Sequence, residues 1–322
     1  MNSIELCAGA GGQALGLERS GFEHQVLVEI DAHACATLRH NRPHWLVHEG
    51  DLSAFDARAY QGIDLVAGGV PCPPFSKAGK QLGADDERDL FPQAMRVVEE
   101  TRPQAVMLEN VRGLLDAVFT DYRQKIARQL QALGYCTDWH LFNAADFGVC
   151  QLRPRVVFVA LRRDLAEHFR WPAPSFQLPP TVGQLLGDLM GAQGWQGLDA
   201  WKERANDIAP TLVGGSKKHG GPDLGPTRAK QAWASLGVDG RGLVDAPPAA
   251  DFVGMPRLTV RMCARIQGFP DEWAFVGKKT PAYRQVGNAF PPPVAHAVSR
   301  QIAQAIEAAA QARVSRTLLR AA

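Results

Sequence analysis

One cysteine of the chain, in Gly68-Gly69-Val70-Pro71-Cys72-Pro73-Pro74-Phe75-Ser76, sits among three prolines. Proline rings fix backbone φ, so the loop has little freedom around Cys72. A thiol packed as a small hydrophobe needs no such setting; a nucleophile does, because attack geometry must be held. Thiolate chemistry also needs a lowered pKa or a neighbouring positive group. Arg153 and Arg155, in Gln151-Leu152-Arg153-Pro154-Arg155, offer that charge. Glu109 ends the apolar run Ala105-Val106-Met107-Leu108, where partial desolvation favours the protonated carboxyl and suits a general acid. Cys72, Glu109, Arg153 and Arg155 are the candidate catalytic set.

A second constellation points to a ligand. Ala8-Gly9-Ala10-Gly11-Gly12 follows a short strand, Ile4-Glu5-Leu6-Cys7, and opens a helical stretch through Ala14, Leu15 and Leu17. Glycines allow a tight turn and close approach of backbone to ligand. Glu29, about 20 residues beyond Gly9 at the end of a second strand, is placed to accept hydrogen bonds from ribose hydroxyls. Asp51, in Glu49-Gly50-Asp51-Leu52, can accept from an adenine amino group. An adenosine-containing ligand is expected, and the spacing alone leaves a dinucleotide and S-adenosylmethionine both open.

The elements that must position these residues alternate. Strands are predicted over residues 25–30, 64–67, 105–108 and 156–161, and Asp31 caps a helix carrying Ala34, Cys35 and Leu38. Such alternation implies an α/β fold, a doubly wound and mostly parallel sheet, with ligands beyond the carboxyl ends of its strands. From about Trp171 prolines and glycines become frequent and helical periodicity fades. Residues 1–165 are read as a catalytic and cofactor domain, 166–256 as a smaller loop-rich domain, and 257–322 as a return segment. The return segment ends in a helix over residues 293–322, with Ala295, Val298, Ile302, Ala305, Ile306 and Ala309 on one face.

At 322 residues, 46% hydrophobic and 21% charged, the chain has the composition of a soluble globular protein. No apolar stretch approaches the roughly 18–20 residues of a membrane span. The N-terminus lacks the basic region and apolar run of a secretory signal, so a cytoplasmic protein is expected. Six scattered cysteines form no CxxC pair and no zinc-ligand spacing, which predicts free thiols and no metal. A net charge of +2 neither demands nor excludes nucleic acid.

These stretches resemble the DNA cytosine-5 methyltransferase family, in the family's order and over most of the chain. Leu6-Cys7-Ala8-Gly9-Ala10-Gly11-Gly12 is similar to its cofactor loop, Gly69 to Ser76 to its catalytic loop, and Glu109-Asn110-Val111 to its acidic motif. Gln151 to Arg155 matches its Gln-x-Arg-x-Arg element. Arg257-Leu258-Thr259-Val260-Arg261, with Gln267-Gly268-Phe269-Pro270, resembles the element supporting its recognition domain. Gln285-Val286-Gly287-Asn288-Ala289 resembles the last motif, which completes the cofactor pocket. Three residues depart from the pattern: Cys7 stands where phenylalanine is usual, Pro73 where glutamine is common, and Met262 where an acid is frequent.

The resemblance implies a Rossmann-like sheet with a target-recognition domain. It implies S-adenosyl-L-methionine as cofactor, in contact with Cys7, Ala8, Gly9, Ala10, Gly11, Gly12, Glu29, Ile30, Asp51, Leu52, Pro71, Leu90, Asn288 and Ala289. Its substrate would be a flipped cytosine of double-stranded DNA. Cys72 would add to C6, Glu109 would contact N3 and the exocyclic amine, and Arg155 would contact O2, with Arg153 nearby on the substrate side. The polar stretch 76–90 suits a mobile lid. Ser76, Lys77, Lys80, Arg88 and Arg261 are expected to meet DNA. So are Lys217, Lys218, His219, Arg228 and Lys230, with Arg228 placed to read guanine and the lysines to hold phosphates. The chain is expected to be monomeric, and a restriction endonuclease of the same site is an expected partner. A tRNA substrate within the same family, a catalytically silent DNA-binding protein and a nicotinamide-dependent dehydrogenase are the other readings. The last gives the Pro-Cys-Pro-Pro loop no role.

Overall fold

A computed structural model of the chain describes residues 1–71, 89–175, 177–215 and 221–321, with side chains up to 315. Among these residues seven strands form one sheet: β1 (Asn2–Leu6), β2 (Glu23–Glu29), β3 (Val47–Glu49), β4 (Leu65–Gly68), β5 (Ala105–Val111), β6 (Tyr135–Asn143) and β7 (Pro154–Arg162). Their order is β3-β2-β1-β4-β5-β7-β6. The pairs from β3 to β5 are parallel; β7 runs antiparallel to both β5 and β6. The expected doubly wound sheet is present, and its connections reverse direction at β1, the place where such sheets bind ligands.

The central strands are continuous apolar runs because both faces are covered. Ile4, Leu6, Val66, Val106, Leu108, Phe158 and Ala160 meet α3 (Phe91–Thr101) and α4 (Thr120–Ala132) on one side. Leu65, Ala67, Met107, Val157 and Val159 meet α11 (Pro292–Ala321) on the other. The 30-residue α11 covers nearly the predicted span, and Val294, Ala295, Val298, Ile302 and Ile306 form its buried stripe. β6 carries no such run. It is an edge strand of alternating burial, with Thr137, Asp138 and His140 breaking the apolar pattern, and the sequence reading passed over it.

Among the described residues 166–256 contribute no strand to the sheet. They carry the end of α5 (Arg163–Ala166), then α6 (Val182–Met190), α7 (Leu198–Arg204) and α8 (Thr227–Ser235). One apolar cluster nevertheless runs from Ala8 and Leu15 through Trp201 and Trp233 to Met262 and Tyr283. This segment and α9 (Val260–Ile266) and α10 (Lys279–Asn288) therefore share a core with the pocket side of the sheet.

The helix α1 (Gly12–Arg19), which leaves the glycine turn, lies directly against α11. A Cβ on Gly16 would come within 2.5 Å of the Ala295 Cβ and 2.7 Å of the His296 amide nitrogen. Backbone cannot yield there without separating the helices. Gly16→Ala is expected to cost about 1–3 kcal/mol by overpacking, read as a lowered urea midpoint at unchanged slope. An unaltered midpoint would show that the two helices part freely.

Candidate active site

A cavity of about 350 Å³ lies beyond the carboxyl ends of β1, β2, β4 and β5. That volume suits a small-molecule ligand. Its walls include all the expected cofactor residues except Gly11. Gly11 instead takes a φ of 85° as N-cap of α1, and a Cβ there would strike Leu38 and Trp273 at 2.8 and 2.9 Å. Its visible contribution is to the turn and to packing. Gly12 does line the cavity, but a Cβ on it would meet the Phe290 carbonyl oxygen at 2.3 Å, so it also fits α1 to the return segment.

Cys7 leaves β1 with a φ of 52°, a conformation that costs a non-glycine residue on the order of 1–2 kcal/mol. Burial, with Glu29 and Asp51 nearby, raises the pKa of its sulfur, so it stays a neutral thiol. With no aromatic ring at this position, the most exposed large hydrophobe on the wall is Ile30, at 65%. A big hydrophobe bared inside a cavity is a natural contact for an aromatic ligand.

The carboxylate of Glu29 is held by three backbone donors: Gly9 N–H at 2.7 Å, Ile30 N–H at 2.9 Å and Asp31 N–H at 2.7 Å. Gly11 N–H is committed to the Ala8 carbonyl and Ala8 N–H to that of Val28. Three amides of the turn are thus consumed internally, where a dinucleotide's pyrophosphate would require them free. Asp51 caps a short 3-10 turn, accepting from Ser53 N–H and Oγ through the one oxygen Oδ1, and these bonds lower its pKa.

Glu5 was read only as part of a strand. It is 1% exposed in the middle of β1, faces the cavity, and neither carboxyl oxygen has a hydrogen-bond partner among the described residues. Burial raises its pKa, reinforced by the charge of Glu29; the Ala14 N–H faces the carboxyl and pulls the other way without closing a hydrogen bond. Gln13 beside it, bonded by Nε2 to the Met107 carbonyl, leaves Oε1 unpartnered. Glu5, Glu29, Asp31, Asp51 and Glu109 line the cavity, against one cation, Arg284. The site suits a positively charged ligand.

At the far end of the cavity Glu109 meets Arg155, Nε to Oε1 at 2.8 Å. The two come from β5 and β7, which pair in a register setting Val111 opposite Arg155. Burial raises the Glu109 pKa against the pull of Arg155 and Arg153. Its other oxygen lies over Gly69, and Asn110 Nδ2 donates to the Val70 carbonyl at 2.9 Å. Leu90 N–H reaches the Pro71 carbonyl at 3.5 Å, so the chain enters and leaves the segment 72–88 beside Glu109. Cys72, Ser76, Lys77, Lys80 and Arg88 lie outside the described residues, as do Lys217, Lys218 and His219.

Arg153 departs from its expected place. It is fully buried, away from the cavity wall, and donates to the carbonyls of Leu212, Gly287 and Ala289 and to Gln151 Oε1. Its Nη1 and Nη2 go to backbone carbonyls and to Gln151, its Nε has no partner among the described residues, and the group braces the wall from behind. Among the expected DNA contacts, Arg228 is exposed at the start of α8. Lys230 pairs with Asp223 at 2.9 Å and Arg261 with Asp271 at 3.0 Å, so a phosphate at either would compete with a carboxylate.

Among the described residues no group of side chains could hold a metal ion, and no helix is long and apolar enough to cross a membrane. A Rossmann-like sheet with an acid-lined pocket at its switch point and a buried Glu–Arg pair beside it has the architecture of an α/β enzyme. The sequence model of the C-5 cytosine-specific DNA methylase family matches residues 1–304. The chain belongs to that family and is a DNA (cytosine-5)-methyltransferase. It is 59% identical over 308 residues to the type II methyltransferase M.NgoMIV of Neisseria gonorrhoeae, covering 95% of this chain and 98% of the relative. Against M.NaeI of Lentzea aerocolonigenes identity is 56%, covering 94% and 75%. Two solved structures share the fold: Entamoeba histolytica methyltransferase EhMeth (TM-score 0.67, 14% identity, 94% and 97% covered) and a Spodoptera frugiperda DNMT2 mutant (0.66, 16%, 94% and 99%).

Glu5 makes stability depend on pH in a calculable direction. Its folded pKa is raised, so its contribution is complete below the ordinary carboxylate value of about 4.3 and is lost as pH rises toward the folded value. Glu5→Gln removes that slope. The variant is expected to show a higher urea midpoint than the parent at about pH 8 and an equal one at about pH 4. Parallel pH curves would mean that Glu5 is already ionised in the folded chain.

Proposed function

We propose that the enzyme moves a methyl group from S-adenosylmethionine to C5 of a cytosine flipped out of duplex DNA, through a covalent bond between Cys72 and C6. The observation that carries the reading is the acid-lined cavity, which runs from Glu5, without a hydrogen-bond partner among the described residues, to Glu109 and to Pro71, which precedes Cys72. A sulfonium cofactor with an ammonium group is a cation, whereas a dinucleotide brings two phosphates to a wall of carboxylates. Glu29 and Asp51 are placed for ribose and adenine, Ile30 for the adenine face, and Glu5 for the positive end. Bound there, S-adenosylmethionine supplies an electrophilic methyl group.

The chain's own residues activate the base. C5 of cytosine is a poor nucleophile; addition of the Cys72 thiolate to C6 breaks the aromaticity and makes C5 nucleophilic. Glu109, its pKa raised by burial, holds N3 and the exocyclic amine and offsets the charge that builds there. Arg155 orients Glu109 and reaches O2. Loss of the C5 proton then expels the cysteine. A stacked base cannot reach the site, so flipping is required at a cost of a few kcal/mol. The type II names of the relatives support a restriction-modification role, with an endonuclease of the same site as partner; we further propose that the methyltransferase acts as a monomer in the cytoplasm.

Incubation with labelled S-adenosylmethionine and either duplex DNA or tRNA tests this directly: label is expected in DNA, and label in tRNA alone would overturn the substrate. Cys72→Ala is expected to abolish transfer while calorimetry still detects cofactor binding. Near-parental turnover of that variant would end the covalent mechanism. Glu29→Ala, which strips the turn of its acceptor, is expected to weaken cofactor binding by about tenfold or more.

A further inference from the structure

We infer that Arg241, clamped with Arg257 on the buried carboxylate of Asp239, is a guanine-reading residue of this methyltransferase. Asp239 is 7% exposed. Its Oδ1 accepts from the backbone N–H and the Nε of Arg241, at 3.1 and 2.9 Å. Its Oδ2 accepts from Arg241 Nη2 at 3.1 Å and Arg257 Nε at 2.9 Å. The Arg241 side chain is nonetheless 74% exposed and that of Arg257 41%.

Stability gives little reason for this arrangement. Arg257 and the Arg241 amide already meet the buried carboxylate, and an exposed ion pair adds little to folding. Clamping Arg241 by Nε and Nη2 orders a long side chain and leaves its outer edge, Nη1 and the second Nη2 hydrogen, pointing away from the carboxylate. That edge is the pair of parallel donors that matches O6 and N7 of guanine in the major groove. Two guanidinium groups against one carboxylate leave a net positive charge, while the adjacent Lys230–Asp223 pair is balanced. Beside the clamp, Phe252 and Met255 are each 39% exposed, an apolar border to the guanidinium pair.

The clamp is held against the stretch that begins at Pro222. Asn288 of the cavity wall donates to the Gly215 carbonyl. Downstream in the same segment, Leu224 N–H bonds to the Gly240 carbonyl, and Gly242 sits against the Pro222 carbonyl. Arg241 lies between those two glycines.

This inference rests on duplex DNA being the substrate. The site methylated by the parent enzyme is first found by bisulfite sequencing. Arg241→Ala and Arg241→Lys are then assayed on that duplex, on a scrambled duplex, and on copies carrying 7-deazaguanine at each guanine in turn. Arg241→Ala is expected to lower kcat/KM on the parent site by about 10- to 100-fold, with binding to the scrambled duplex nearly unchanged. One 7-deazaguanine copy should impair the parent enzyme but not the variant, and Arg241→Lys should not rescue. Equal losses on both duplexes with a shallower salt dependence, rescue by lysine, or unchanged discrimination would each overturn the guanine contact. Absence of label in DNA with the unaltered enzyme would instead overturn the reading beneath it.

Discussion

The guanidinium of Arg153 lies where no water reaches, and its donors are turned onto carbonyls from two distant stretches of chain, Leu212 on one and Gly287 and Ala289 on the other. Burial and neighbouring Arg155 both push its pKa down, so the charge is tolerated only because backbone dipoles surround it. The dependence runs the other way as well. Removing the cation would strip a donor from the buried carbonyls of Leu212 and Gly287, while that of Ala289 would keep Gln267 Nε2. Gln151 completes the arrangement, accepting from Leu212 N–H and donating to Gln267. The Gln-x-Arg element is thus a structural node from which the pocket wall and the following segment are hung.

Around that node the site holds conformations and charges that folding alone would avoid. Cys7 carries a left-handed backbone, and Glu5 a buried carboxyl with no partner among the described residues. Each costs stability, and such features persist where surrounding packing over-determines them. Here α1 is locked to α11 at Gly16 and to the Phe290 carbonyl at Gly12, while β1 is paired on both sides by β2 and β4. The strained residues therefore cannot relax without parting the sheet or the helix pair. A ligand bearing positive charge would relieve the electrostatic part of that cost on binding.

Much of this was legible in the residues. Alternating strands and glycine punctuation gave the doubly wound sheet, and Glu29, Asp51 and Glu109 fall where strand ends were read. What escaped has physical reasons. β6 is an edge strand whose polar residues hide its period, and the antiparallel direction of β7 leaves no mark in composition. The resemblance gives Arg155 to O2 and Arg153 a place beside it, but only the structure shows Arg153 fully buried on backbone carbonyls and Arg155 paired with Glu109. Glu5 had a signal, an acid between Ile4 and Leu6 in a short apolar strand, but its meaning depends on which face the cavity occupies. Met262, noted as a departure from the acidic pattern, turns out to keep the capping geometry: Thr259 N–H points to its sulfur at 3.4 Å while Met262 N–H donates to Thr259 Oγ1 at 3.2 Å.

The same contacts decide how the two halves of the site communicate. Gly287 packs so closely on Gly214 that a Cβ would reach its nitrogen at 2.4 Å, and the next residue, Asn288, both lines the cavity and bonds to Gly215. Arg153 holds the carbonyl of Gly287 and that of Leu212 at once. The cavity wall and the start of the segment that leads to the Asp239 clamp are therefore one packed unit, with no loose joint between them. Close-packed interiors transmit displacement because they cannot absorb it. A shift of α10 by a fraction of an ångström at Gly287 must move Gly214, since neither glycine has a side chain to deform. The absence of two methyl groups couples the cofactor wall to the segment beyond it.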